Sequence, residues 1–401
     1  MKKILILGAG IEQSIAIKEA KKLGYYIIAC DSNSNAEGFL NADVKCVIDI
    51  QNIDEVFNVA KLHDVDGIFT HGVEIPHIVS AVSEKLNLPS LSLEVAERAT
   101  NKKLRISYLK SHGIPCADFK SVKDIEDLLE KASELSFPLV IKPIDVAGSR
   151  GVRVVEHPDD LIAAYYNSIS FSKSKEVLLE EKLSGPEIST ESVVYNDQII
   201  TFGFADRNYC NKELFAPYFI EDGINFPSIL SIEIQKSIIE LVEKTIKCLG
   251  INFGAAKGDI IIHNGVPKII EMAARTSGGW FGAGSIPLAT GSNMLKPLIQ
   301  MAVGDKPDLE ALKPNKKLGC AQRYIIPIQD GKVISISGVD EALSMPGIAM
   351  AVMFLPNVGD EITKAKNHAQ RFGQIICTAN TREEAIDLCE NAIKKINVSV
   401  K

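Results

Sequence analysis

The apolar positions of the first ~95 residues switch repeatedly between two spacings. Ile4 to Leu7 form a short unbroken apolar run and then give way to a helical spacing through Ile15 and Ala20. A second apolar run ends at Asp31. Ile53, Val56, Phe57 and Ala60 recur at one helical face, and Ile75, Ile78, Val79, Val82 and Leu86 at another, with the strand-like DGIFTHG (66–72) between them. Unbroken apolar runs alternating with period 3.6 predict strands and helices in turn, and hence a small α/β unit with a parallel sheet.

Beyond a boundary at LNLPSLS (86–92) the pattern changes. A helix is predicted through 99–112, stopped by Gly113 and Pro115, and an amphipathic one carries Val122, Ile125, Leu128, Leu129 and Ala132. FPLVIKP (137–143) reads as a strand and IDVAGSRGV (144–152) as a glycine-bearing loop. Residues 176–206 read as strands with one break, and 231–249 as a long helix closed by Gly250. The stretch 253–275 is a hairpin with Asn264-Gly265 at its tip. VGDKPDLEALKPNKK (303–317) is polar and reads as a linker. After it come strand patterns at 320–328, 332–337 and 348–355 and a last helix bearing Ala385, Leu388, Cys389, Ala392 and Ile396. The expected division is 1–95, 96–305 with a lid at about 115–180, and 306–401.

Composition narrows the classes. The 401 residues are 46% apolar and 24% charged, with net charge −7 and no basic run, which argues against nucleic-acid or anionic-membrane binding. No apolar span approaches the ~20 residues a membrane helix needs, and the first apolar run is too short for a signal peptide. Eight cysteines without a C-x-x-C pair suggest a reduced, cytoplasmic setting with buried thiols. His71 and His77 are expected to be polar loop residues.

Gly8-Ala9-Gly10 followed by a helix and by Asp31 comes close to a dinucleotide fingerprint. Gln13 stands where that fingerprint needs its third glycine, which weakens an NAD reading and leaves the β-α-β reading intact. Lys142 ends a buried strand just before Gly148, Ser149 and Gly151. A lysine and a loop of free amides suit a triphosphate, although a solvated lysine beside an ordinary turn has the same pattern. Glu181 and Glu187 flank a break between strands where an adenine edge and a ribose could be read; a salt-bridged surface strand is the alternative. Asp259 and Glu271 on facing strands could share Mg²⁺. Their separation is even, so a strict two-residue turn would put them on opposite faces. The metal reading therefore requires a three- or five-residue loop, or a bulge. Arg275, ahead of TSGGWFGAG (276–284), could clamp a carboxylate or acyl phosphate, or pair structurally with carbonyls; Trp280 could wall a pocket, though such a Trp is more often core or rim.

Taken in order, TNK, GIP, VIKP, the Gly/Ser loop, EEKLSGPE, Asp259 and EMAAR…SGG resemble the ATP-grasp superfamily over nearly the whole chain. The resemblance implies a Rossmann-like N-terminal domain that binds no NAD, an ATP-grasp fold of α/β and α+β type, and a small mixed C-terminal domain. It implies that Lys102 and Lys142 reach ATP phosphates under a loop carrying Gly148 and Ser149. It assigns Glu181, Lys182 and Leu183 to the adenine hinge and Glu187 to the ribose. Asp259 and Glu271 would hold Mg²⁺ (or Mn²⁺), Arg275 would steady an acyl phosphate, and Arg207 would stand near the phosphates. Many members read Glu-x-Asn-Pro-Arg where this chain has Glu271-Met272-Ala273-Ala274-Arg275, and Ala273 cannot ligate a second metal. A branch similar to the bacterial L-amino acid ligases shares Glu-x-Ala-Ala-Arg, and the tail is similar to that branch and to biotin carboxylase. The implied function is an ADP-producing carboxylate–amine ligase with small-molecule substrates, Glu74 lining the amine site, in an assembly that is often a homodimer. The alternatives are a carboxylase or formate-using purine-type enzyme, an NAD oxidoreductase, and a non-catalytic nucleotide-binding module.

Overall fold

The computed structural model describes all residues, Met1–Lys401. The chain opens with β1 (Lys3–Leu7), α1 (Gln13–Lys22), β2 (Tyr26–Asp31), β3 (Val44–Val47), α2 (Ile53–His63), β4 (Gly67–Thr70) and α3 (Pro76–Leu86). The four strands form a parallel sheet in the order β3-β2-β1-β4. Residues of β1 alternate between two buried clusters, Ile4 and Ile6 facing α1 and Leu5 and Leu7 facing α2 and α3, so helices cover both faces. Asn52 caps α2 by accepting from the amides of Asp54 and Glu55.

Two short helices, α4 (Leu93–Thr100) and α5 (Lys102–Ser111), lead into a small antiparallel unit: β5 (Phe119–Val122), α6 (Ile125–Ala132), β6 (Leu139–Pro143), β7 (Arg153–Val155), α7 (Leu161–Phe171) and β8 (Val177–Glu181), in sheet order β5-β8-β6-β7. The single helix expected through 99–112 is interrupted because Asn101 leaves helical geometry to cap α5. Val122 belongs to β5 rather than to the following helix, and Leu129 is exposed.

The largest sheet begins with β9 (Glu187–Tyr195), β10 (Gln198–Asn208) and, after α8 (Lys212–Phe215), β11 (Gly223–Phe226). The long α9 (Ile232–Leu249) follows, with Gly250 taking the left-handed conformation that ends it, then the hairpin β12 (Phe253–His263) and β13 (Val266–Ala273). After α10 (Ile286–Thr290) and α11 (Leu295–Ala302), the tail holds β14 (Gly319–Ile325), β15 (Gly331–Ser337), α12 (Val339–Leu343), β16 (Ile348–Met353), β17 (Glu361–Ile362), β18 (Gly373–Ala379), α13 (Arg382–Lys395) and β19 (Asn397–Val400). Three of these strands extend the central sheet, giving β13-β12-β9-β10-β11-β14-β18-β16; the others form β17-β15-β19. Neither β18 nor β19 was anticipated, since short apolar runs in a polar tail carry little periodic signal.

The hairpin meets the parity condition by a bulge. Its turn is the strict two-residue Asn264-Gly265, with His263 opposite Val266, yet the register shifts beyond Ile260–Ile269 and Asp259 faces Glu271 directly. Ile270 is the extra residue, and it returns the two acids to one side of the sheet. No helix is long and apolar enough to cross a membrane, and all eight cysteines are free.

Candidate active site

A cavity of about 720 Å³ lies between the small antiparallel unit and the central sheet, and the N-terminal and tail segments both reach it. Near the 181–183 segment its wall is apolar, formed by Ala117, Val140, Leu183 and Ile269. Glu181 and Lys182 spend their amides on the carbonyls of Asp118 and Pro138, whereas the Leu183 amide makes no hydrogen bond within the chain. Glu181 and Leu183 line the cavity. Lys182 does not: strand alternation turns its side chain out to Glu156, 2.9 Å away, so its place in the expected hinge is reduced to backbone.

Deeper in, Lys142 pairs with Glu180 at 2.7 Å, and Lys102 donates to the carbonyl of Val146. Burial pulls the Lys102 amine down to about 8, with Glu271 opposing. Asp259 accepts from Ser189 at 2.9 Å and pairs with Arg207 at 3.0 Å and with Lys257. Glu271 pairs with Arg105 at 3.1 Å and Lys257 at 3.6 Å. Burial would raise both carboxyls. The guanidinium of Arg207 and then Lys257 hold Asp259 below its usual range, and Arg105, Lys257 and Lys102 hold Glu271 well below. Glu187 accepts from Tyr209 at 2.9 Å, and burial lifts its carboxyl despite Arg207.

These residues suit Mg²⁺ and a triphosphate. Two ionised carboxylates side by side, with only oxygen donors, match a hard cation. Buried polar atoms of lining residues, Oε1 of Glu180 and Nε of Arg207, have no partner. The loop carrying Gly148 (φ +72°) and Ser149 (φ +56°) borders the cavity, and the amides of both make no hydrogen bond in the chain.

At the other end, Arg275 pairs with Glu74 and donates to the Thr276 carbonyl at 3.0 Å. Trp280 is not a pocket wall. Its left-handed backbone (φ +66°) begins a π-helical turn, and its side chain is buried with Phe226, Phe281 and Ile376 while Gly279 and Phe281 line the cavity. His71 lies in the loop after β4 as expected but is buried there, with Nδ1 2.9 Å from Thr276 Oγ1, whereas His77 is a residue of α3 and no loop residue.

Several lining residues went unread in the sequence. Lys257 lies two residues before Asp259 on the same strand face, and Arg105 three after Lys102 on one helix, so period alone could have found both. Glu12, Glu221, Tyr324, His368 and Arg371 come from distant segments and carry no local signal.

At the first glycine turn both backbone groups of Ala9 are used within the chain. Ala9 donates to Asp31 Oδ2 at 2.8 Å, Gly38 donates to the Ala9 carbonyl at 2.7 Å, and a side chain at Gly38 would collide with Ile17 and Ala9.

Residues 100–211 match the family model described as phosphoribosylglycinamide synthetase, ATP-grasp (A) domain. The fold agrees: the L-amino acid ligase of Bacillus licheniformis superposes with TM-score 0.85 at 20% identity, covering 100% of this chain and 99% of that one. A biotin carboxylase domain of Hydrogenobacter thermophilus, solved with magnesium ADP, gives 0.73 at 20% identity over 100% and 91%. Residues 100–211 thus match an ATP-grasp domain, and the two solved structures share the fold of the whole chain. Residues 323–401 match L-amino acid ligase C-terminal domain 2. Among curated proteins, an uncharacterised protein of Sinorhizobium fredii is 25% identical over 88% of this chain and 73% of its own length. A formate-dependent phosphoribosylglycinamide formyltransferase of Prochlorococcus marinus is 30% identical over 46% of this chain and 48% of its own, so the match spans about half of that relative.

Proposed function

We propose that this protein is an ATP-dependent carboxylate–amine ligase that joins amino acids through an acyl phosphate. In this reading a substrate carboxylate attacks the γ-phosphate, ADP leaves, and an amine displaces phosphate from the acyl group. The observation that carries it is the bulge at Ile270, which sets Asp259 and Glu271 side by side among Lys102, Lys257, Arg105 and Arg207. Asp259 and Glu271 would hold Mg²⁺, which supplies charge neutralisation at the phosphates when bound. Ala273 cannot add a ligand for a second ion.

The chain's own groups do the positioning on which phosphoryl transfer depends. Lys142 and Lys102 neutralise phosphate charge, the apolar slot around Val140 and Ile269 receives the base, and the Leu183 amide is the free donor for its edge. Glu187 receives the ribose. Arg275 orients the acyl group, and the loop 145–152 excludes water that would hydrolyse it. The match to L-amino acid ligase C-terminal domain 2 supports amino acids as substrates. A second reading, formate or bicarbonate as the carboxylate, is favoured by the formyltransferase relative. Phosphate release with ATP, Mg²⁺ and pairs of amino acids tests the first: release requiring two partners supports it, and release driven by formate or bicarbonate alone replaces it with the second.

A further inference from the structure

We propose that Glu12, carried by the N-terminal glycine turn, is the base that accepts the proton of the incoming amine. The inference rests on the ligase reading and adds a group that neither the motif order nor the metal pair supplies.

Glu12 is the one acid that the N-terminal turn sends across to the Arg275 end of the cavity. Its two oxygens accept from the amides of Trp280 at 2.8 Å and Gly279 at 3.2 Å. Gly72 (φ +67°) and Gly278 lie beside it, and a side chain on Gly72 would stand at ordinary contact distance, 3.5 Å, from the Glu12 carboxyl carbon. The cage is open on one side: Glu12 lines the cavity with 16% of its side chain accessible, in the company of Arg275, Ser277 and Tyr324. Behind it, His71 Nε2 lies 3.9 Å from Oε1, buried and without a hydrogen-bond partner. The other acids nearby are committed elsewhere. Glu74 is paired with Arg275, and Glu191 is fully buried and accepts from Ser277.

The protonation states suit the role. Burial pushes the Glu12 carboxyl up to about 7, with the Trp280 and Gly279 amides and Arg275 opposing. Burial, and then Arg275, pull His71 down to about 4, and burial keeps the Tyr324 phenol protonated. At neutral pH Glu12 therefore faces a neutral imidazole, a phenol and one guanidinium, and exchanges a proton near the working pH. In the step itself an ammonium nitrogen gives one proton to a Glu12 oxygen and gains its lone pair. The N–C bond forms, the C–O bond to phosphate breaks, and phosphate carries off the second proton.

The test uses the full-length protein with ATP, Mg²⁺ and a mixture of the twenty standard amino acids as acyl donors. Amide formation is measured beside hydroxamate formation from hydroxylamine, a nucleophile already neutral at pH 7. Glu12→Gln keeps an acceptor for the two amides and removes the base. It should cut amide formation by ~100-fold or more while hydroxamate formation stays within about 3-fold, and it should erase the acid limb of the amide rate near pH 7. Glu12→Asp should recover amide formation to within about 10-fold. Unchanged amide formation in Glu12→Gln, an equal loss of both products, or an Asp variant as inactive as the Gln one overturns the proposal. If the native protein forms neither product, the ligase reading falls first and takes the proposal with it.

Discussion

The chain contains two glycine turns next to strand ends, and they have opposite fates. In Gly8-Ala9-Gly10 the amide of Ala9 is taken by Asp31, and the 3₁₀ turn at Glu37–Asn41 closes over the Ala9 carbonyl. In the loop 145–152 the amides of Gly148 and Ser149 stay free beside Lys142. Both stretches are legible as glycine-rich in the sequence. What separates them is where the fold puts them: Gly148 and Ser149 border the cavity beside Lys142, whereas Gly8, Ala9 and Gly10 do not reach it, although the Gly10 amide also has no partner in the chain. Only the second turn sets free amides and a lysine on the cavity wall; the first brings Glu12 to it.

Variants can break this contrast, beginning with the largest expected effect. Lys142→Met removes the cation beside the open loop and should lower ATP turnover by ~100-fold or more, read as ADP release, while circular dichroism stays native. Turnover near the native value would detach Lys142 from the phosphates. Glu271→Gln should weaken Mg²⁺ dependence of turnover by about 10- to 100-fold, the range that losses outside the metal's own ligands already reach. An unchanged Mg²⁺ titration would remove Glu271 from the metal.

Glu191 gives a prediction about stability. Burial lifts its carboxyl from 4.5 to about 7, against the Ser277 hydrogen bonds. A carboxyl raised on folding favours the folded state below about pH 4.5, and that contribution is lost as pH climbs to about 7. Glu191→Gln should therefore melt near the native temperature at pH 5 and above it at pH 8, by an amount corresponding to roughly 3 kcal/mol at ~1.36 kcal/mol per unit. A lower melting temperature at pH 8 would contradict it. The smallest effect is expected at the first turn. Asp31→Ala frees the Ala9 amide and should cost about 1–2 kcal/mol in a denaturant melt, with still no binding of NAD. Binding of NAD by this variant would mean that Asp31 alone keeps the dinucleotide out.

The sequence carried much of this through local chemistry. The even spacing of Asp259 and Glu271 demanded an odd loop or a bulge, and the bulge at Ile270 is what the hairpin contains. Lys142, Gly148 and Ser149 were readable because one strand end and its loop hold all three. What was not readable depends on contacts between distant segments. Glu12 reaches the cavity only because α11 packs against the N-terminal unit, with Leu295, Leu298 and Ile299 sharing a cluster with Ile4 and Ile17. His368 arrives from the tail, donating its amide to the Gly148 carbonyl at 3.0 Å, because β14 and β18 join the central sheet. Of the two places open to Trp280, pocket wall or core, its left-handed turn selects the core, and residue type alone does not announce that.

The most direct test of the account is amide hydrogen exchange on the native protein with and without Mg²⁺ and ADP, compared at the two turns. The account predicts slowed exchange across Ala147–Gly151 and no change at Gly8–Gly10. Protection of the first turn with an unaffected 147–151 loop would contradict it.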